Sequence, residues 1–184
     1  MSEPAPYHIR DAVAADVAAL SALKVATFRE TFLEGFGIPY PPVEIARFEA
    51  ETYAPGPVAA ELADSAHHTW VAEAADGRLV AYAHVGPVKL PHPDARPGEP
   101  ELYQIYLLNE AQGQGLGGRL MKLALDWCEA RAASTGGRIW LGVWSGNHRA
   151  RAIYQRLGFA QVGEYHFKVG DWLDDEQIYR RDPA

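Results

Sequence analysis

Residues 112–118 read Gln-Gly-Gln-Gly-Leu-Gly-Gly, which places Gly113, Gly115, Gly117 and Gly118 in one turn. A turn this dense in glycine lets successive backbone N–H groups aim into one concave space that no Cβ obstructs. The helical pattern beginning at Leu116 adds the positive end of its dipole. Such a nest suits a phosphate or a pyrophosphate. A bare structural turn seldom needs four glycines, because each is costly to order.

Two glycine patterns overlap here. Gly113, Gly115 and Gly118 satisfy G-x-G-x-x-G, but a dinucleotide site also wants an acidic residue roughly 20 positions on. Residues 132–142 hold no Asp or Glu, and the turn lies late in the chain, after a hairpin rather than in a first βαβ unit. A nicotinamide-dependent dehydrogenase is therefore a weak reading, and without a G-K-[ST] ending a P-loop is excluded. The second pattern is Gln112-x-x-Gly115-x-Gly117.

An apolar strand, Leu102 to Leu108, must precede the turn, and an amphipathic helix must follow it with Leu116, Leu120, Leu123, Ala124, Trp127 and Cys128 in one stripe. Cys128 thus reads as a core residue. Upstream, the spacing predicts a strand Tyr7 to Ala12, a helix from Asp16 through Phe28, a second helix Val43 to Tyr53 opened by Pro42, and a short helical piece Val58 to Leu62. His68 to Ala75 and Arg78 to Val88 form a hairpin about Asp76-Gly77. Leu90 to Pro100, with four prolines, reads as loop. Downstream come a strand Arg138 to Trp144, a helix Asn147 to Leu157, and two closing strands, Phe159 to Lys168 and Gln177 to Arg181, around an acidic loop Asp171 to Glu176.

A length of 184 residues, 48% apolar and 22% charged, predicts one soluble α/β domain over residues 1–184. The net charge of −7 argues against nucleic acid, and no apolar run is long enough for a membrane span. One cysteine excludes an internal disulfide and a multi-cysteine metal site; no metal is expected. The N-terminus lacks a basic or apolar leader, so a cytoplasmic location is expected, with a homodimer among the assemblies allowed.

Gln112-x-x-Gly115-x-Gly117 resembles the acyl-CoA loop, Q/R-x-x-G-x-G/A, of the GNAT superfamily of N-acetyltransferases. Asn147, Ala150, Tyr154 and Gly158-Phe159 match that superfamily's second block, N-x-x-A-x-x-x-Y-x-x-x-G-F, in type and spacing. The resemblance covers Leu102 to Phe159. It implies an α/β (α+β) GNAT fold: a central mixed, largely antiparallel twisted sheet of about six to seven strands flanked by helices, with a splayed strand pair holding acetyl-CoA. Ile139 to Trp144, Val162-Gly163, Val169 to Asp171 and Thr27 to Phe32 look like the PaiA-type bacterial polyamine acetyltransferases.

That resemblance implies cofactor contacts from Ile105, Tyr106 and Leu107 on the strand, from Gln112, Gly113, Gln114, Gly115, Leu116, Gly117 and Gly118 on the loop, and from Asn147. The backbone N–H of Leu107 would polarise the acetyl carbonyl. An ordinary helix N-cap is the other use for Asn147. Tyr154 is the expected general acid, because a phenol of pKa about 10 is protonated at neutral pH; a core aromatic is its alternative. Glu101 is the candidate base, sharing a strand face by period two with Tyr103, Ile105 and Leu107; a solvated strand end is its alternative. His148 and His166 are possible relays by type alone.

The acceptor is expected against the first two helices and the last hairpin, which carry Glu30, Glu34, Glu44, Glu49, Asp171, Asp174, Asp175 and Glu176. These would steer a small cationic amine such as a polyamine, with Glu30 and Tyr40 singled out as substrate contacts and Phe28, Phe32 and Tyr106 as further aromatics. A protein N-terminal or lysine acetyltransferase, and a non-catalytic acyl-CoA-binding domain, are the other readings.

Overall fold

A computed structural model describes residues 7–183. Seven strands form one sheet in the order β1-β2-β3-β4-β5-β7-β6. They are β1 (Tyr7–Asp11), β2 (His68–Ala74), β3 (Leu79–Pro87), β4 (Pro100–Leu107), β5 (Ile139–Trp144), β6 (Ala160–Val169) and β7 (Trp172–Arg181). Every neighbouring pair is antiparallel except β4 and β5. The mixed, mainly antiparallel sheet is the one expected.

Helix α4 (Leu116–Thr135) covers one face, burying the stripe that includes Leu116, Leu120, Ala124, Cys128 and Ala132 against β3, β4 and β5. Burial pushes the Cys128 thiol up to about 12, which keeps it an inert core group. The helix stops at Gly136, whose φ of 106° needs a residue without Cβ. On the other face lie α1 (Val17–Phe28), α2 (Pro42–Phe48) and α3 (Pro55–Ala63). Leu20, Leu23 and Val58 pack on Val71, Leu79 and Tyr82 of the sheet. Both α1 and α2 unwind into wider π-helical turns, at residues 29–35 and 49–53. Such turns often mark functional positions, and these carry Phe32 and Tyr53 into an aromatic cluster with Phe28, Tyr40 and Phe48.

Two expectations about the strands are corrected. The acidic segment from Trp172 is not loop but the start of β7, which pairs with β6 from Val169↔Trp172 onward and with β5. The turn closes in two residues because Gly170 adopts φ 61°. The strand tolerates its carboxylates because inward ones find donors: Tyr40 Oη and Trp172 Nε1 on Asp174, and Tyr165 Oη on Glu176. The second correction concerns β4. Its register against β3 runs Ala83↔Ile105, His84↔Gln104, then Val85↔Leu102, so Tyr103 is an extra residue. This β-bulge breaks the period-two phase. Ile105 and Leu107 pack toward α4, whereas Glu101 and Tyr103 lie on the opposite side.

The proline-rich segment before β4 is loop up to residue 99, and β4 itself begins at Pro100. A buried polar knot fixes that segment. Glu99, 0% exposed, accepts from Arg138 Nε and Trp140 Nε1, both at 2.7 Å, and from the Arg96 N–H at 3.0 Å. Glu99→Ala would strand a mostly buried guanidinium and an indole N–H, costing about 3–5 kcal/mol. Urea unfolding of the two proteins checks this, and a loss under about 1 kcal/mol, the size of an exposed pair, would contradict it.

Candidate active site

The parallel β4–β5 pairing covers only Glu101↔Trp140 and Leu102↔Leu141. Beyond these the two strands part, as a splayed pair should. Leu108 N–H bonds Val80 O at 2.9 Å, so the alternation of the backbone turns the Leu107 N–H and C=O toward the opened gap.

Two cavities meet at that gap. A groove of about 850 Å³ runs past Leu107, Gln112, Gly113, Gly115, Gly117, Gly118 and α4. A chamber of about 460 Å³ lies between the sheet and α1–α3. Ile105, Tyr106, Asn147, Ala150 and Tyr154 line both. The last three come from the segment formed by Asn147 and α5 (His148–Arg156).

The glycine loop has the shape an anion cradle needs. Gly113 and Gly115 hold φ of 77° and 75°, and a Cβ built on either would meet no atom within 4 Å. The space in front of them is open. Gly115 is also the residue before the 20-residue α4, whose first N–H groups lack intrahelical acceptors. Arg149 lines the same groove and would favour an anion; Lys122 and Arg181 line it as well, each already paired at 2.6 Å with a lining carboxylate, Asp126 and Glu129. These residues fit the diphosphate of an acyl-CoA.

Not every expected loop contact faces the groove. The Leu116 side chain is 1% exposed in the core, and Gln114 Nε2 turns back to Tyr7 Oη and Glu110 O. Only their backbone is available. Gln112 Nε2 bonds Asn109 Oδ1 at 3.2 Å and stays at the groove. Asn147 caps α5, its Oδ1 accepting from Ala150 N–H at 3.0 Å. The capping use is real, and it leaves Nδ2 beside both cavities. Glu30 does not reach the chamber; it accepts from the Asn109 N–H at 2.7 Å and braces the turn ahead of the glycine loop. Tyr40 does line the chamber and donates to Asp174.

Of the eight acidic residues expected around the acceptor, only Asp174 and Glu176 line the chamber. Arg29 engages Glu49, Arg47 engages Asp171, and Glu44 accepts from the Asp171 N–H. His166 pairs with Asp175 at 3.1 Å and His148 with Arg151, so neither histidine lines the chamber as a relay.

Glu101 is 6% exposed and faces the chamber, its Oε2 accepting from the Lys89 N–H at 2.7 Å. Burial pushes its carboxyl up to about 7. Glu176 is likewise pushed up to about 7 by burial. Tyr154 is half-buried at the junction, with no protein partner for its hydroxyl among the described residues, and burial raises it to about 12. It packs on Phe159 but is not enclosed as a plain core ring.

One wall went unread in the sequence. Lys24, 1% exposed, bonds Glu61 Oε1 at 2.8 Å and Gln104 Oε1 at 3.0 Å, and burial lowers its pKa. His84, whose pKa burial also lowers, bonds Thr69 and lies against Tyr103. Nothing in the helical spacing of Lys24 distinguishes it from a solvated lysine. Tyr165 and the inward set Asp174, Glu176 become visible once the segment is read as strand, since alternate positions share a face.

The fold and the junction of groove and chamber suit an acyltransferase. The model of the Acetyltransferase (GNAT) family matches residues 26–159, so the chain belongs to that family and is an acetyl-CoA-dependent N-acetyltransferase. An uncharacterized N-acetyltransferase of Lactobacillus delbrueckii subsp. lactis is 28% identical over 147 residues, 80% of this chain and 83% of that protein. The N-alpha-acetyltransferase RimI of Mycobacterium tuberculosis is 34% identical over 125 residues, 64% of this chain and 72% of that one. Among solved structures, the PaiA N-acetyltransferase of Thermoplasma acidophilum in complex with coenzyme A shares the fold, with a TM-score of 0.70 at 18% identity, covering 96% of this chain and 98% of that one. Among the described residues no helix is long and apolar enough to cross a membrane, and no cluster of three or more His, Cys, Asp or Glu could hold a metal.

Proposed function

We propose that this chain, as one N-acetyltransferase domain of the cytoplasm, transfers acetyl from acetyl-CoA to a primary amine of a small cationic acceptor such as a polyamine. The observation that carries the reading is the pair of inward carboxyls, Glu101 and Glu176, in an aromatic-walled chamber that meets the glycine-loop groove at Tyr154. The likeness of fold to a PaiA enzyme supports the acceptor class.

When bound, acetyl-CoA supplies an acetyl group activated as a thioester. The N–H groups from Gly113 to Gly118 and the start of α4 hold the diphosphate. Leu107 N–H polarises the acetyl carbonyl, and Asn147 Nδ2 steadies the arm that passes between β4 and β5. Glu101 takes one proton from the acceptor's ammonium and passes it to solvent. The freed nitrogen attacks directly: the N–C bond forms and the C–S bond breaks. Tyr154 gives its phenolic proton to the sulfur and is reprotonated by the second proton that nitrogen loses.

Glu101 acts only when ionised, and its pKa is near 7, so turnover should rise with pH through about 7. Glu101→Gln should lower kcat about 100-fold while leaving CoA binding unchanged. Stopped-time thiol release across pH 5.5–9 reads both, and wild-type turnover flat through the neutral range would remove Glu101 as the base. The acceptor class is tested by the same thiol release over polyamines, monoamines and peptides. Activity confined to peptides would favour a protein N-terminal or lysine acetyltransferase, the reading that the RimI relative supports. CoA binding without thiol release on any amine would favour a non-catalytic acyl-CoA-binding domain.

A further inference from the structure

We propose that Glu176, seated with Tyr165 in the space that Gly142 leaves open, is the carboxyl that binds the acceptor's ammonium beside Glu101. The assignment rests on the amine-acetylation reading above and adds the residue that recognises the amine.

Four acidic side chains line the chamber, and they differ in what already satisfies them. Glu61 is matched by the buried ammonium of Lys24 at 2.8 Å. Asp174 is held from two sides, by Tyr40 Oη and by Trp172 Nε1 at 2.9 Å. Glu101 has a backbone donor, Lys89 N–H. Glu176 takes one bond, from Tyr165 Oη at 2.5 Å to Oε2, and among the described residues no cation pairs with it and no donor reaches Oε1. A buried carboxyl is stable in its charged form only beside a cation or several donors. Glu176 therefore presents an open acceptor oxygen to the chamber, and a ligand ammonium supplies the partner that its charged form lacks.

The strand geometry shows that this niche is built. Tyr165 and Glu176 are direct cross-strand partners on β6 and β7. A Cβ at Gly142 on β5 would lie 2.6 Å from Tyr165 Oη and 3.1 Å from Glu176 Oε2. Gly142 has an ordinary negative φ, so the backbone there does not demand glycine; the dyad does. Tyr165 occupies one carboxylate oxygen, which leaves the other for the ammonium. Two carboxyls facing one ammonium divide the work: Glu176 holds the cation while Glu101 takes its proton.

The test is steady-state kinetics of Glu176→Gln, an isosteric change, with spermidine and with a simple alkylamine as the varied acceptors. The expected result is an acceptor KM raised at least tenfold, kcat within a few-fold of wild type, and an unchanged KM for acetyl-CoA. Gly142→Ala, which displaces the same dyad from the other side, should shift acceptor KM in the same direction, and melting curves with and without CoA show that both variants are folded. An unchanged acceptor KM in a folded Glu176→Gln protein overturns the assignment, as does a collapse of kcat at unchanged KM, which would make Glu176 the base. If wild type turns over neither these nor any other amine, the amine-acetylation reading falls and this assignment with it; wild-type turnover with an indifferent variant removes the assignment alone.

Discussion

Gly115→Glu is expected to weaken coenzyme A binding by at least about 100-fold, the loss of two charge-assisted hydrogen bonds at roughly 1.5–3 kcal/mol each. The new side chain meets no protein atom near its Cβ, so the loop is not crowded apart. It extends instead into the open side of the cradle, where it fills the volume and sets a carboxylate against the diphosphate at the positive end of α4. Part of the effect comes from backbone strain, because φ of 75° costs a residue with Cβ about 1–2 kcal/mol. Gly77→Glu separates the two contributions: that glycine sits in the β2–β3 turn at φ 85° with equally open surroundings but no cradle. It should lose comparable stability and keep CoA affinity. Calorimetric titration of CoA into both proteins decides, and equal affinity for the two would move the diphosphate site away from residues 112–118.

Tyr154→Phe should lower kcat by about 100- to 1,000-fold with little change in affinity for CoA. The ring stays, so its packing on Phe159 and its place between the cavities survive. The hydroxyl has no protein partner among the described residues, so its removal should leave the melting temperature nearly unchanged. Only the proton donor is lost. With its pKa raised to about 12 by burial, the phenol stays protonated across the working range, so the variant's rate deficit should be independent of pH between 6 and 9. A deficit that vanished at high pH, or unaltered kcat, would assign the sulfur's proton to another group.

The groove proposed for the cofactor was legible in the chain because local chemistry sets its residues. Glycines that need open space share one short stretch with a helix start, an Asn placed three residues before Ala150 marks a second stretch, and the structure puts Gly113, Gly115, Gly117, Gly118 and Asn147 on one groove. The chamber proposed for the acceptor depends on pairings between distant strands. The bulge at Tyr103 has no residue-type signature, since no glycine or proline marks it, yet it decides which way Glu101 faces. The run Leu173-Asp174-Asp175-Glu176 reads as solvated turn until Tyr40 and Tyr165, from other elements, and the adjoining Trp172 are seen to supply its donors. Gln114 and Leu116 fit the loop pattern by position, but Leu116 belongs to the core because it also opens the apolar stripe of α4.

The Lys24–Glu61 contact carries one more consequence. By lodging its own ammonium in the chamber wall, the protein has already filled one cationic berth that a long diamine would otherwise seek with its far end. A trailing positive group on the proposed acceptor would therefore be turned outward. On the proposed reading, recognition of the acceptor would then rest on a single ammonium tip.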